Sequence, residues 1–235
     1  MKLNDMPIYV FVDFDGTITH QDTLDYLLDT FAPPHWREIE DQVTAGVLEE
    51  KRALQMEFDL LRVSLETAIQ TIQHLPIDPQ FPRFVQYCRQ NNMALQILSG
   101  GVDYFIRAIL RRNGLEEVPF HSNSVKVVND RWKIVPARTP RIRNQCNHCK
   151  TYWITRARNE GFLTVYIGDG NTDRCPATAT HISFAKDQLA EYLRQIGHPF
   201  LPYRNFQDIL DYFNSHSIEK LKEMTGAQPL HYIKD

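Results

Sequence analysis

The stretch IYVFVDFDGT, Ile8 to Thr17, decides the fold. A mostly apolar run ends abruptly in two aspartates one residue apart, followed by a glycine and a threonine. Two further runs share the pattern: Ala94 to Leu98 leads into SGG, and Leu163 to Ile167 leads into GDGNTD. In all three the Val, Ile, Leu, Phe and Tyr content is nearly continuous rather than alternating, as in strands covered on both faces by helices. Apolar residues at helical spacing follow, for instance Tyr104, Phe105, Ala108 and Ile109, closing at Gly114. Strand, helix, strand in this order predicts an α/β fold built on a doubly wound parallel sheet. Ligands in such sheets sit beyond the carboxyl ends of the strands, so the three polar clusters are expected at one edge.

Thr19 to Met93, between the first two strands, has little strand character. Leu24, Leu27, Leu28 and Phe31 form a helical stripe stopped by Pro33 and Pro34. Ser64 is an N-cap candidate for a helix carrying Leu65, Ala68, Ile69 and Ile72. A plain crossover needs far fewer residues. The expected organisation is therefore a core of residues 1–18 and 92–235 with a smaller helical cap, 19–91, whose last helix (Pro82 to Asn91) returns to the core. SVKVV and RWKIV flank Asn129-Asp130, a hairpin signal without its usual glycine. HISFA, His181 to Ala185, reads as a further short strand, and the helix after CNHCK is expected to start near Thr151.

The bulk composition narrows the function. Among 235 residues, 43% are hydrophobic and 23% charged, ordinary for a globular protein, and the net charge of -3 offers no footprint for nucleic acid or an anionic membrane. No apolar run approaches the roughly 18 residues of a membrane span. MKLNDMP leads into the first strand without a signal-peptide core, which predicts a cytoplasmic protein. The four cysteines are expected as reduced thiols. Cys146 and Cys149 form a CxxC that reads either as packed thiols or, with His148 and His121, as a zinc site.

Residues two apart on a strand point the same way, so Asp13 and Asp15 can face one site, and Gly16 lets the backbone approach a ligand. Asp169 and Asp173 follow another buried strand. Two like charges 4 Å apart repel by about 4 kcal/mol at an effective dielectric of 20, so such a cluster needs a cation or protonated carboxyls. Oxygen-only ligands suit Mg²⁺. Ser99, Gly100 and Gly101 offer a hydroxyl and amides to an anion, and Lys150 offers a positive charge.

DFDGT, SGG, a lysine and GDGNTD, in that order from Asp13 to Asp173, resemble the haloacid dehalogenase superfamily of phosphatases. The cap and hairpin resemble its phosphoserine-phosphatase-like branch. TFAPPHW, SGGVDYF and CNHCK are similar to the 2-hydroxy-3-keto-5-methylthiopentenyl-1-phosphate phosphatases of methionine salvage. The resemblance implies Asp13 as nucleophile and Asp15 as general acid and base. It implies Thr17, Ser99, Gly100 and Lys150 on the phosphate, and Mg²⁺ on the Asp13 carboxylate, the Asp15 carbonyl and Asp169. Asp173 would orient the metal shell or Lys150. The implied partner is a small phosphorylated metabolite, and the assembly a monomer or dimer, with a homodimer expected. Arg141 and Arg143 could gather an anionic substrate or form a solvated loop face, and Cys175 reads as a packed thiol. Asp15 together with GDGNTD argues against a dehalogenase; a mutase and a non-catalytic module on the same fold stay open.

Overall fold

The computed structural model describes residues 6–140 and 148–216. Arg141, Arg143, Cys146 and the tail beyond 216 lie outside the described residues. The centre is a seven-stranded sheet of order β4-β3-β2-β1-β5-β6-β7. Its strands are β1 (Ile8–Val12), β2 (Ala94–Val102), β3 (Phe120–Val128), β4 (Arg131–Val135), β5 (Leu163–Gly168), β6 (Ile182–Ala185) and β7 (Leu201–Pro202). All neighbours pair in parallel except β3 and β4, which form an antiparallel hairpin.

Alternation along β1 explains the two covered faces. Ile8, Val10 and Val12 enter one hydrophobic cluster, while Tyr9 and Phe11 point to the other. The first face is covered by α5 (Phe81–Gln90), α6 (Asp103–Arg112) and α10 (Phe206–Ser215), the second by α7 (Lys150–Asn159), α8 (Arg174–Ala179) and α9 (Asp187–Gln195). In register, Val12 pairs with Ile97 on β2 and Ile167 on β5. Asp13, the SGG segment near the end of β2 and the GDG turn at the end of β5 follow within a few residues, so the three polar clusters meet at one edge of the sheet.

Between β1 and β2 the chain forms α1 (Thr23–Phe31), α2 (Arg37–Thr44), α3 (Glu50–Leu60) and α4 (Leu65–Ile72). Asp22 caps α1 by accepting from the Leu24 and Asp25 amides at 2.8 and 3.1 Å, and Ser64 caps α4 through the Thr67 amide at 3.1 Å. Pro33 and Pro34 end α1, as the sequence indicates. These helices share one buried cluster with the sheet, Leu27, Leu28 and Phe58 packing into the group that contains Val12 and Ile97. The strands leading out and back are tied together by an antiparallel bridge between Thr19 and Ile77.

Asn129 and Asp130 both have positive φ, 50° and 56°, the backbone of a tight hairpin turn that Asn and Asp tolerate. The hairpin is a platform for the helices. Trp132 stacks on Phe58 with ring centroids 5.7 Å apart, and its indole N–H donates to the Val63 carbonyl at 2.9 Å. β7 and α10 lie in a stretch where the sequence reading assigned no element. α10 packs Phe206 against Phe81 and Phe84 of α5, with centroids 5.0 and 5.3 Å apart.

Candidate active site

Asp13 continues the ladder past β1, its amide donating to the Ile167 carbonyl at 2.9 Å. The side chain is buried and meets the Lys150 ammonium at 2.6 Å. Lys150 is the first residue of α7 and is also buried. Its Nζ donates to Asp173 at 2.7 Å and to the Thr172 hydroxyl at 3.2 Å as well, so each of its three protons has an acceptor. Asp173 is saturated. Oδ1 takes Lys150 and the Tyr166 hydroxyl (2.5 Å), and Oδ2 takes the amides of Asp169 and Gly170 at 3.0 and 3.1 Å. It anchors the lysine and shapes the GDG turn.

Asp15 lines the same cleft as Asp13. Oδ1 accepts from the Thr23 amide at 3.0 Å and its hydroxyl at 2.7 Å, and Oδ2 accepts from the Ser99 hydroxyl at 3.2 Å. Gly100 and Gly101 line this cleft, whose volume is about 350 Å³. Thr17, expected on the phosphate, is turned elsewhere: its hydroxyl donates to Asp169 Oδ1 at 2.5 Å and lies 3.4 Å from the Tyr203 hydroxyl. Thr17 is buried behind Asp169 and does not line the cleft.

The electrostatics show a shortage of positive charge. Burial and then the Asp173 charge push the Asp13 carboxyl well above the ordinary range, against the pull of Lys150. Burial and Asp173 likewise raise Asp169 to about 6. Burial also works against the Asp173 anion, yet the Lys150 ammonium and the hydrogen bonds around it hold that carboxyl below its usual value. Oxygens of Asp13, Asp169 and Asp173 lie within 4.8 Å of one another, and one ammonium contacts the group. Three carboxylates beside one lysine leave room for a divalent cation, and an all-oxygen set suits Mg²⁺. The donor set fits that ion. Among the described residues this is also the one group of His, Cys, Asp and Glu side chains able to hold a metal. His148 is instead bonded to the Ser99 carbonyl and to Trp153, and Cys149 is buried.

Gly16 is required by two features. Its φ is +78°, and a Cβ there would collide with the Asp169 carboxylate. Gly16→Ala is expected to displace Asp169 and to lower kcat/KM about a hundredfold, as an ångström-scale misplacement does. Magnesium titration of phosphate release would show a raised half-saturation point; a profile within twofold of the parent protein would contradict this.

Several contributors carry little or no mark in the sequence: Thr23 on Asp15, Tyr166 on Asp173, Thr172 on Lys150 and Asn123 behind the SGG segment, while His148, a zinc-ligand candidate in the sequence, lies on the Ser99 carbonyl. Tyr166 left a faint signal as a phenol inside an apolar strand just before GDG. The others depend on long-range contacts.

Comparison with known proteins agrees with this geometry. Residues 10–177 match the model of the haloacid dehalogenase-like hydrolases. The chain is 32% identical over 207 residues to the 2-hydroxy-3-keto-5-methylthiopentenyl-1-phosphate phosphatase of Brevibacillus brevis, covering 86% of this chain and 93% of that protein. It is 29% identical to the phosphatase of the same name from Bacillus cytotoxicus, covering 87% and 94%. A phospho-aspartyl intermediate analogue of phosphoserine phosphatase superposes with a TM-score of 0.70 at 18% identity, covering 88% of this chain and 99% of that one, which is a likeness of fold. The buried aspartates at the strand ends, the lysine that joins them and the match across most of the chain place this protein in the haloacid dehalogenase-like hydrolase family, as a phosphatase.

Proposed function

We propose that the protein is a magnesium-dependent phosphomonoesterase working through an aspartyl phosphate, and that its substrate is 2-hydroxy-3-keto-5-methylthiopentenyl-1-phosphate. In this reading an Asp13 carboxylate oxygen bonds to phosphorus as the bond from phosphorus to the leaving oxygen breaks. Asp15 gives that oxygen a proton, then takes one from the water that hydrolyses the aspartyl phosphate. Thr23 holds Asp15 Oδ1 with two hydrogen bonds, so the proton is carried on Oδ2, which has one lighter contact, the Ser99 hydroxyl at 3.2 Å. Asp13 and Asp169, with the Asp15 backbone carbonyl, would hold Mg²⁺, which when bound withdraws charge from the phosphoryl oxygens. Ser99, Gly100 and Lys150 hold the phosphoryl group, and Thr17 acts behind them by fixing Asp169. Residues 19–91 serve as the cap that selects the leaving group.

The observation that carries the substrate is the cleft's outer wall. Leu24, Val43, Leu54, Phe58 and Phe105 form an apolar side that suits a methylthio tail. Asp22, Asp25, Glu40 and Glu57 face the same space, and no lysine, arginine or histidine is among the described lining residues. Burial and neighbouring carboxylates push Asp22 well above the ordinary range and Asp25 to about 7. A substrate carboxylate would add one more acid to a wall whose carboxyls already resist ionisation, with no lysine, arginine or histidine among the described lining residues to pair with it.

The experiment is phosphate release across a substrate panel with Mg²⁺. The methylthiopentenyl phosphate is expected to exceed phosphoserine in kcat/KM by at least about a hundredfold, the effect of an unpaired like-charge contact of several kcal/mol. Equal or faster hydrolysis of phosphoserine would overturn the assignment. The acidic wall favours a second reading, a cationic leaving group such as that of phosphocholine or phosphoethanolamine, and both belong in the panel.

A further inference from the structure

We infer that His148 and Asn123 are positioning residues that fix the Ser99 and Gly100 carbonyls, and so aim the Gly100 amide and, through the Gly101 amide, the Ser99 hydroxyl at the phosphate; this rests on the phosphatase reading above. Two consecutive glycines have little conformational preference of their own, and a Gly-Gly peptide is easily turned over. Here both peptides are held by buried side chains from distant parts of the chain. His148 Nδ1 lies 3.0 Å from the Ser99 carbonyl, and Asn123 Nδ2 donates to the Gly100 carbonyl at 2.6 Å. Both side chains are buried.

The protonation pattern follows from the partners. Trp153 Nε1–H can only donate, and it points at His148 Nε2 at 3.3 Å. Nε2 is therefore the acceptor, and Nδ1 carries the hydrogen given to the Ser99 carbonyl. Burial, with Lys150 nearby, lowers His148 to about 3, so the ring is neutral throughout the working range. The His121 ring stacks on Trp153 with centroids 3.6 Å apart and holds the indole in place. Asn123 is fixed in the same way: its Oδ1 accepts the Ala137 amide at 3.0 Å, which directs the NH₂ to Gly100.

In a planar trans peptide the C=O and N–H point in opposite directions. Tethering the Ser99 carbonyl to His148 turns the Gly100 N–H the other way, and tethering the Gly100 carbonyl to Asn123 does the same for Gly101. The Gly101 N–H is found on Ser99 Oγ at 2.8 Å, which aligns the hydroxyl as well. Both glycines line the cleft. β2 loses its register with β3 between Leu98 and Val102, so the sheet ladder does not set these peptides.

The test combines kinetics with ¹⁵N-glycine spectra of the full chain. Adding orthophosphate and Mg²⁺ to the parent protein is expected to shift the Gly100 and Gly101 amide signals. His148→Leu and the isosteric Asn123→Asp should abolish the shift at the glycine they control and lower kcat/KM about 30- to 100-fold, with magnesium half-saturation within twofold. His148→Asn, which keeps a donor near the Nδ1 position, should recover activity to within about fivefold of the parent. Folded His148→Leu or Asn123→Asp with kcat/KM within twofold of the parent would overturn the inference, as would His148→Asn no better than His148→Leu. If His148→Leu does not fold, Asn123→Asp decides. A parent protein that releases no phosphate defeats the phosphatase reading, and the glycine shifts then decide this one alone: no shift overturns it.

Discussion

Asp13→Asn is expected to lower kcat by at least about ten-thousandfold, the scale at which removal of a nucleophile acts. Asparagine keeps the shape of the side chain and loses the oxygen anion that must bond to phosphorus. The fold should survive. In the metal-free protein Asp13 is a poorly tolerated anion, disfavoured first by burial and then by Asp173, so its loss removes repulsion. Thermal melts in chelator should place the variant at or above the parent, while Mg²⁺ should raise its melting temperature less than it raises that of the parent. Quenched turnover followed by mass spectrometry should find phosphoryl groups on the peptide carrying Asp13 in the parent only. Wild-type turnover by the variant would remove Asp13 from its role.

Lys150→Met is expected to have the second largest effect, on stability and catalysis together. Methionine fills much of the same space but leaves Asp13 and Asp173 buried without their counter-charge. Removing one partner from a buried ion pair costs about 3–5 kcal/mol. Loss of a donor to the phosphoryl oxygens adds about 10²–10³ in kcat. The sign of the pH dependence follows from the shifts. Asp173 is held below its usual value and Lys150 above its own, so their contribution to stability is complete at neutral pH. It is lost as pH falls through the lowered Asp173 value or rises through the raised Lys150 value. Because Lys150 also favours the anions of Asp13 and Asp169, the stability gap between parent and variant in denaturant melts should widen as pH rises through the titration of those two carboxyls. A variant as stable as the parent would mean that the two carboxyls are neutral in the folded protein.

The residues proposed for catalysis stand out in the sequence because their chemistry is local to each strand end, and parallel pairing of β1 with β2 and β5 brings those ends together. Thr17 shows where such reading stops. Alternation puts residues 13, 15 and 17 on one side only while the chain stays extended. Gly16 takes a φ of +78°, the alternation breaks, and the hydroxyl swings to Asp169. His148, Asn123 and Thr23 were hidden for a different reason. Their partners are backbone carbonyls or a carboxylate fixed by tertiary structure, and residue type alone carries no trace of that. β7, two residues long, has no periodicity to detect, whereas α10 shows helical spacing in Phe206, Ile209, Leu210 and Phe213. The helices between β1 and β2 were legible as helices, but their shared core with the sheet was not, because it depends on Phe58 finding Trp132 across the hairpin.

Thr23 sits at the start of α1 and grips Asp15 with both its amide and its hydroxyl, while the chain on either side of the four helices passes through the paired strands at Thr19 and Ile77. Any displacement of α1 would carry Thr23 along and loosen its hold on the Asp15 carboxyl. Recognition of the departing alcohol and readiness to protonate it would thus be mechanically linked.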